Sequence, residues 1–462
     1  MRGMRVTATT VVPDTVGEVR FRATEIADAV GGTLVGDDVD IVGATIDSRA
    51  LRAGQLFVPI RGERDGHDFI GAAISAGMAA TFTARNPVDG ITSIVVEDPE
   101  AALSRLGGFA RTRLGDRVVG ITGSVGKTST KDLVTSVLAR SFTVSASEKS
   151  FNNELGVPLT LVNAADDAAV TVVEMGARGS GHIAALCSVA VPTIGVVTAV
   201  ELVHSEFMGG LDDIARTKGE LIESLPASGV AVLNADNERV WAMRSRTGAR
   251  TIGFGFVNGD LRATALSLDE QLRPRFRLDS DWGRADVVLS VRGRHQVNNA
   301  LAAAAVALAC GVDLDDVVAG LAVAELSPWR MELRTTGTGA RVLNDAYNAG
   351  PASMEAAIRS LAQLPAIRHT AVLGLMAELG DESETAHQRI AEVAAELGVR
   401  IISFGEADYG AVSDDGAEVA IGHAADIAEA VAMLGELNDG DAVLVKGSRV
   451  AGLERVAAAL LD

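Results

Sequence analysis

Gly120-Ile-Thr-Gly-Ser-Val-Gly-Lys-Thr-Ser-Thr-Lys131 is the stretch from which the rest of the chain can be read. Before it, Arg117-Val-Val-Gly120 has the look of a short apolar strand end. After it, Asp132-Leu-Val-Thr-Ser-Val-Leu-Ala-Arg140 has the apolar spacing of an amphipathic helix. A glycine-rich turn between strand and helix offers several backbone N–H groups to one anion. Gly123, Ser124, Val125, Gly126 and Ser129 would line such a loop, Lys127 would face the terminal phosphates, and the Thr128 hydroxyl could bind magnesium. The strict motif places glycine at 121, where this chain has Ile; its glycines stand at 120, 123 and 126. This is a phosphate loop of a variant kind.

The whole chain sets outer limits. Its 462 residues suggest about three domains, and 48% hydrophobic with 22% charged residues suits sizeable cores. A formal charge of −20 with 4% aromatics argues against a nucleic-acid surface. An anionic substrate must then be met by local positive charge. Cys187 and Cys310 lack metal or redox spacing and read as reduced core residues, as in a cytoplasmic protein. No signal peptide is legible, and the longest apolar run, 300–312, is too short to span a bilayer.

The fold class expected is α/β in three domains. Residues 1–115 mix strand-like runs (Leu56–Ile60, Ile91–Val96) with a helix-like run, Ala72–Ala80. From 116 to 328, apolar runs at Val118–Ile121, Val170–Val173, Thr193–Val197 and Gly229–Leu233 alternate with helical patterns, as a mostly parallel sheet requires. From 329 to 462 the alternation repeats, with strands at Arg341–Asn344, Thr370–Gly374, Arg400–Ser403 and Ala442–Val445. Helices are expected there at Thr385–Leu397 and Ala424–Leu434. Ligands bind at the carboxyl ends of parallel strands. Glu174 and His204 follow two such strands and should converge on the edge that carries the loop.

Each candidate has a bland alternative. Glu174 could hold magnesium with Thr128, or be a solvated strand-end acid. His204 could be a ligand or a loop histidine, and Lys218 looks like an ordinary helix lysine. Asn152 and Asn153 could bind substrate or cap a helix, as could the amides near Asn299. Arg330 could reach a phosphate or pair with a nearby acid. The polar turns Asp345-Ala-Tyr347-Asn348 and Lys446-Gly-Ser448-Arg449 each follow a strand and could contact a ligand or be surface turns. Asp47-Ser48-Arg49 and Asp65-Gly66-His67 could hold a diphosphate or sugar hydroxyls, or be solvated charged turns.

Together these stretches resemble the Mur ligase family, the ATP-dependent amide-forming enzymes of peptidoglycan assembly, across essentially all three domains. Thr122–Thr128 resembles the family's phosphate loop, which also departs from strict Walker spacing. Asn152-Asn153 with Gly156-Val-Pro158, Glu174-Met-Gly176 and His204 match in order and spacing. The resemblance implies a central P-loop-type ATPase domain, a small N-terminal UDP-substrate domain and a Rossmann-like C-terminal domain. It implies ATP and two magnesium ions, with Thr128, Glu174, His204 and a carbamylated Lys218 as metal ligands. It places Asn299 near the adenine, Arg330 at the nucleotide phosphates and Asp345 near the ribose. It assigns Asp47–Arg49 and Asp65–His67 to the UDP-sugar.

Asp345-x-Tyr347-Asn348, Leu373-Gly-x-Met-x-Glu-Leu-Gly380 and Lys446–Arg449 favour the branch that adds D-alanyl-D-alanine to UDP-N-acetylmuramoyl-tripeptide. The Asp-Asn-Pro-Arg signature of the diaminopimelate-adding branch is absent. Gly350, Leu375 and Gln296 depart from the usual residues. The expected reaction is phosphorylation of the tripeptide carboxylate, then attack by the dipeptide amine, in a monomer. Competing readings are a relative that adds a single amino acid to a UDP-muramoyl or folate-like acceptor, a nucleotide-driven binding protein, and an inactive interaction module.

Overall fold

The structure is a computed structural model that describes residues 20–148, 150–202, 208–407, 409–410 and 420–461. By contacts the chain forms two units. One holds residues up to Thr112 together with Leu161–Asp166, and the other holds the remainder.

The first unit is built on a five-stranded sheet ordered Thr33–Val35, Thr92–Val95, Ala80–Thr83, Leu56–Phe57, Ala44–Thr45; the first pair is antiparallel and the rest parallel. The helix Pro99–Arg111 starts where Asp98 accepts from the Glu100 N–H at 2.9 Å, with proline at its first position. The expected helix at Ala72–Ala80 is instead Ile70–Ser75. Gly77 turns the chain at φ 86°, and Ala80 already begins a strand. The alanine-rich run hid that break. The segment Leu161–Asp166 joins this unit through Asn163, whose amide exchanges two 2.9 Å bonds with the Ala44 backbone. Arg20 adds an ion pair to Asp166 at 2.9 Å.

The second unit carries two sheets. The larger has nine strands, and its parallel part runs Val144–Ala146, Val170–Glu174, Arg117–Thr122, Ile194–Val197, Val230–Asn234, Arg250–Gly255, Leu261–Leu268. Pro274–Ser280 and Gly283–Val288 extend it antiparallel, with one face buried and one polar. That extension alternates with period two and was not expected from the sequence.

The two faces of the Arg117–Thr122 strand do different things. Ile121 is fully buried in the core formed with Leu133, Val134, Val137 and the alanine-rich helix Gln296–Ala309. On the opposite face Gly120 and Gly195 lie against the helix Leu211–Glu223. A Cβ at Gly120 would sit 2.9 Å from Leu221 Cδ1, and one at Gly195 3.2 Å from Leu221 Cγ. Two glycines therefore let that helix, which carries Lys218, approach the sheet closely. Position 121 is a core position, so the absent Walker glycine costs the loop nothing.

The smaller sheet runs Glu332–Thr335, Arg341–Asn344, Asp441–Lys446, Arg368–Leu373, Arg400–Phe404, Ala420–Ala424, parallel except for the first pair. Pro351–Leu361 and Ser383–Glu396 cover one face, and Ile427–Leu434 and Glu454–Leu461 the other. The helix expected from Ala424 starts at Ile427, because Asp426 caps it by accepting from the Glu429 N–H at 2.9 Å. Among the described residues no helix is long and apolar enough to cross a membrane.

Restoring the strict motif with Ile121→Gly should destabilise the protein by about 3–5 kcal/mol, from the emptied core site and the freed backbone. Chemical denaturation should show a clearly lowered midpoint, and an unchanged midpoint would refute the core role of Ile121.

Candidate active site

The parallel register sets the site. Glu174 lies beside Ile121 in the ladder, and the Met175 N–H donates to the Ile121 carbonyl at 2.8 Å. The carboxylate thus emerges one residue short of the loop. Gly123 (φ 146°) and Gly126 (φ 81°) turn the loop into the helix Lys127–Leu138, conformations that L-residues adopt only under strain. A Cβ on Gly123 would fall 1.9 Å from Thr198 Oγ1, and one on Gly126 2.5 Å from Asn299 Oδ1. The loop is braced from the next strand end: Ser124 N–H donates to the Ala199 carbonyl at 2.8 Å, and Thr198 Oγ1 to the Val125 carbonyl at 2.6 Å. Lys127 folds over it, with Nζ 2.8 Å from the Gly123 carbonyl. Thr128 and Ser129 are buried.

Glu174 is 1% exposed. Its Oε1 accepts from Asn152 Nδ2 at 2.8 Å, while the buried Oε2 has no hydrogen-bond partner among the described residues. A carboxylate oxygen left that way calls for a cation or a donor. Asn153 instead caps Gly156–Val162, accepting from the Gly156 N–H at 2.9 Å. Lys218 is not an ordinary surface lysine. It is 1% exposed, and burial, aided by repulsion from Lys127, pushes its pKa down to about 7. Burial also lowers Lys127, against the attraction of Glu174 and with repulsion from Arg330. Two lysines, a carboxylate and an arginine therefore lie within electrostatic reach of one another. His204 lies outside the described residues.

The Arg330 guanidinium stacks over the Tyr347 ring at 4.1 Å, and its buried Nε has no partner among the described residues. Its neighbours Trp329 (φ 61°) and Met331 (φ 51°) are both left-handed, a strained setting for non-glycine residues. The Tyr347 hydroxyl hydrogen-bonds Ser150. Asp345 accepts from the Met331 N–H at 3.0 Å and from Lys446 Nζ at 2.6 Å, and Lys446 also donates to the Asn348 carbonyl at 2.8 Å. Arg449 stacks on Trp329 at 4.5 Å, and Ser448 Oγ accepts from the Ala377 N–H at 2.9 Å. Asn299 sits beneath the loop, bonded to Thr130 and Gln296. Half-buried His295, which opens the His295–Asn299 stretch, has its pKa lowered by desolvation, with Lys446 adding and Asp345 opposing.

In the first unit, Arg49 is exposed and held by Asp47 through two bonds of 2.9 and 2.8 Å. Asp65 Oδ1 accepts from both His67 N–H (3.0 Å) and His67 Nδ1 (2.6 Å), which holds its carboxyl well below the usual carboxylate range. His67 Nε2 accepts from the Ala84 N–H at 3.1 Å. Both ring nitrogens are therefore committed within the protein. Gly66 lies so close to Ile60 that a Cβ would be 2.5 Å from its nitrogen.

Residues 40–105 match the catalytic domain of the Mur ligase family, 121–307 the Mur ligase middle domain, and 329–449 the Mur ligase glutamate ligase domain. The chain belongs to the Mur ligase family. This Mur ligase is 41% identical to the UDP-N-acetylmuramoyl-tripeptide–D-alanyl-D-alanine ligase of Mycobacterium tuberculosis, over 96% of this chain and 98% of that one. It is 34% identical to the ligase of the same name from Escherichia coli, over 95% and 98%. MurF from Acinetobacter baumannii superposes with a TM-score of 0.84 at 30% identity, covering 95% of this chain and 98% of that chain. MurF from Thermotoga maritima, solved in complex with ADP, gives a TM-score of 0.78 at 28% identity over 90% and 96%.

Gly123→Ala should cost this Mur ligase about 1–3 kcal/mol through backbone strain and the clash with Thr198. A thermal melt without nucleotide should show the loss, and an unaltered melt would mean that the loop relaxes freely.

Proposed function

We propose that this Mur ligase joins D-alanyl-D-alanine to UDP-N-acetylmuramoyl-tripeptide, driven by ATP, in peptidoglycan precursor synthesis. Similarity to ligases of that name over nearly the full length of both chains carries the reading. ATP is the nucleotide, in keeping with the ADP complex of the Thermotoga maritima relative. Our domain boundaries are 1–115 for the UDP-sugar domain, 116–328 for the ATP domain and 329–462 for the amine domain.

The residue roles follow from charge and position. A carboxylate is a poor acyl donor because its leaving group is an oxide; phosphorylation by ATP supplies a better one, and the amine then displaces phosphate. Backbone N–H groups of the loop Gly123–Ser129, other than that of Ser124, which bonds the Ala199 carbonyl, and the Lys127 ammonium hold the nucleotide phosphates. Arg330 meets the charge on the transferred group, and Asn299 and Asp345 serve the nucleoside. Lys446, Ser448, Arg449, Tyr347 and Asn348 form the amine side. The turns Asp47–Arg49 and Asp65–His67, with Asn152 and Asn153, serve the UDP substrate. The committed ring of His67 makes it a framework for that turn rather than a donor to the ligand.

The donor set fits magnesium. The Glu174 oxygen without a partner among the described residues and the buried Thr128 hydroxyl are hard oxygens beside the phosphate loop. His204 and Lys218, as a carbamate, complete the residues that we assign to two ions. Bound there, magnesium would neutralise phosphate charge and allow two anions to approach. Burial keeps a fraction of Lys218 as the free amine near neutral pH. That amine can add carbon dioxide, forming an N–C bond and releasing a proton, so that a buried cation becomes an anion. We assign a monomer and a cytoplasmic setting, in which free Cys187 and Cys310 are at home.

Incubating the enzyme with ATP, magnesium and UDP-muramoyl-tripeptide should release phosphate only when D-alanyl-D-alanine is added. Folded protein that releases none would sink the proposal, and preference for a single amino acid would move it to another branch of the family. Lys218→Ala should lower kcat at least a thousandfold, with partial rescue by a short carboxylic acid. Full activity in that variant would remove the carbamate role.

A further inference from the structure

Lys131 lies one turn after Lys127 on the phosphate-loop helix, and its 4% exposure is unusual for a lysine. It pairs with Asp132 at 3.0 Å, the two side chains being 6% and 11% exposed. The pair bonds outward in two directions. Lys131 Nζ donates to the Ser147 carbonyl at 2.9 Å. Ser147 is the residue whose Oγ accepts from the Glu174 N–H at 3.1 Å and from Thr160 Oγ1 at 3.2 Å. It also stands at the start of the stretch that leads to Asn152, the partner of the Glu174 carboxylate. Asp132 Oδ2 accepts from the Ser327 N–H at 2.7 Å. Ser327 opens the short connection to Trp329, Arg330 and Met331.

We propose that Lys131 and Asp132 are positioning residues that tie the Glu174 carboxylate and the Arg330 connection to a single turn of the phosphate-loop helix. This rests on the roles given above to Glu174 and Arg330. A buried ion pair adds little stability over an apolar pair of the same volume. The apolar stripe of this helix, Val134 and Leu138, continues directly from position 131, where the helix period alone would place a leucine. What a leucine could not do is bond two backbone segments that flank the reacting groups. The pair thus fixes three elements relative to one another: the loop that binds phosphate, the strand end that carries the carboxylate, and the connection that carries the arginine. Misplacing either of the last two by about an ångström leaves nucleotide binding intact and slows transfer.

The test compares wild type with Lys131→Met/Asp132→Asn, which removes both charges at nearly constant volume and keeps an acceptor for the Ser327 N–H. Steady-state phosphate release and ADP titration are measured on the full chain. We expect the double variant to lose at least tenfold in kcat, with the ADP Kd and the KM for ATP within threefold of wild type. Lys131→Arg, which can still reach the Ser147 carbonyl, should recover most of the rate. A double variant with wild-type kcat would overturn the proposal. So would a parallel loss of kcat, ADP affinity and melting temperature, which marks a merely structural pair. If the double variant does not fold, Asp132→Ala, which cuts the tie to Ser327, carries the same expectation and the same refutation. A wild type with no amine-dependent phosphate release would instead overturn the ligase reading itself.

Discussion

The site depends on one electrostatic constraint: a carboxylate buried at a strand end within reach of the half-buried Lys127, which in turn repels the buried Lys218. Glu174 cannot leave its position without breaking the parallel ladder to Ile121, and its one bonded oxygen is held by Asn152. Its other oxygen has no hydrogen-bond partner among the described residues. Lys127 and Lys218 repel each other in the same low-dielectric space, which favours loss of a proton from Lys218. The fold meets this cost with glycines. Gly120 and Gly195 bring one helix close to the sheet, and Gly123 and Gly126 let the loop turn against Thr198 and Asn299. Charge that would be expensive elsewhere is concentrated beside the phosphate loop.

The connection between the two sheets of the second unit has a related logic. Arg330 and Arg449 are both stacked on aromatic rings, those of Tyr347 and Trp329. Stacking leaves the Arg330 guanidinium without an acid partner among the described residues, so its charge stays available for an anion, whereas Arg449 also pairs with Glu454 at 2.8 Å. Two left-handed residues on either side of Arg330 aim it. Asp345 is used differently, locked between the Met331 backbone and Lys446.

Much of this was legible in the sequence, for identifiable reasons. Strands such as Arg341–Asn344 were plain because Val342 and Leu343 give an apolar residue to each face and turns bound them. The loop was plain because its glycines have a backbone purpose. Burial of Lys218 was not, since the helix around it has ordinary amphipathic spacing and the close approach depends on Gly120 and Gly195, on two strands outside that helix. Lys131 did carry a signal: it is a lysine on the apolar stripe that continues to Val134 and Leu138. The antiparallel extension escaped notice because its strands carry arginine and aspartate on alternate positions. The commitment of both His67 nitrogens is a matter of tertiary geometry that no spacing encodes.

Asn163 has a consequence for how the protein is made. The first unit is not a continuous stretch of chain. The amide that closes against Ala44 and the carboxylate that meets Arg20 are contributed by Leu161–Asp166, after the phosphate loop and its helix have been synthesised. On the ribosome the N-terminal sheet must therefore wait, incompletely bonded, until the chain has run on to Asp166. Its completion is chained to the early strands of its neighbour. A fragment cut at the apparent end of the first unit would carry an unsealed edge at Ala44, so the unit is matured by the rest of the chain rather than preceding it.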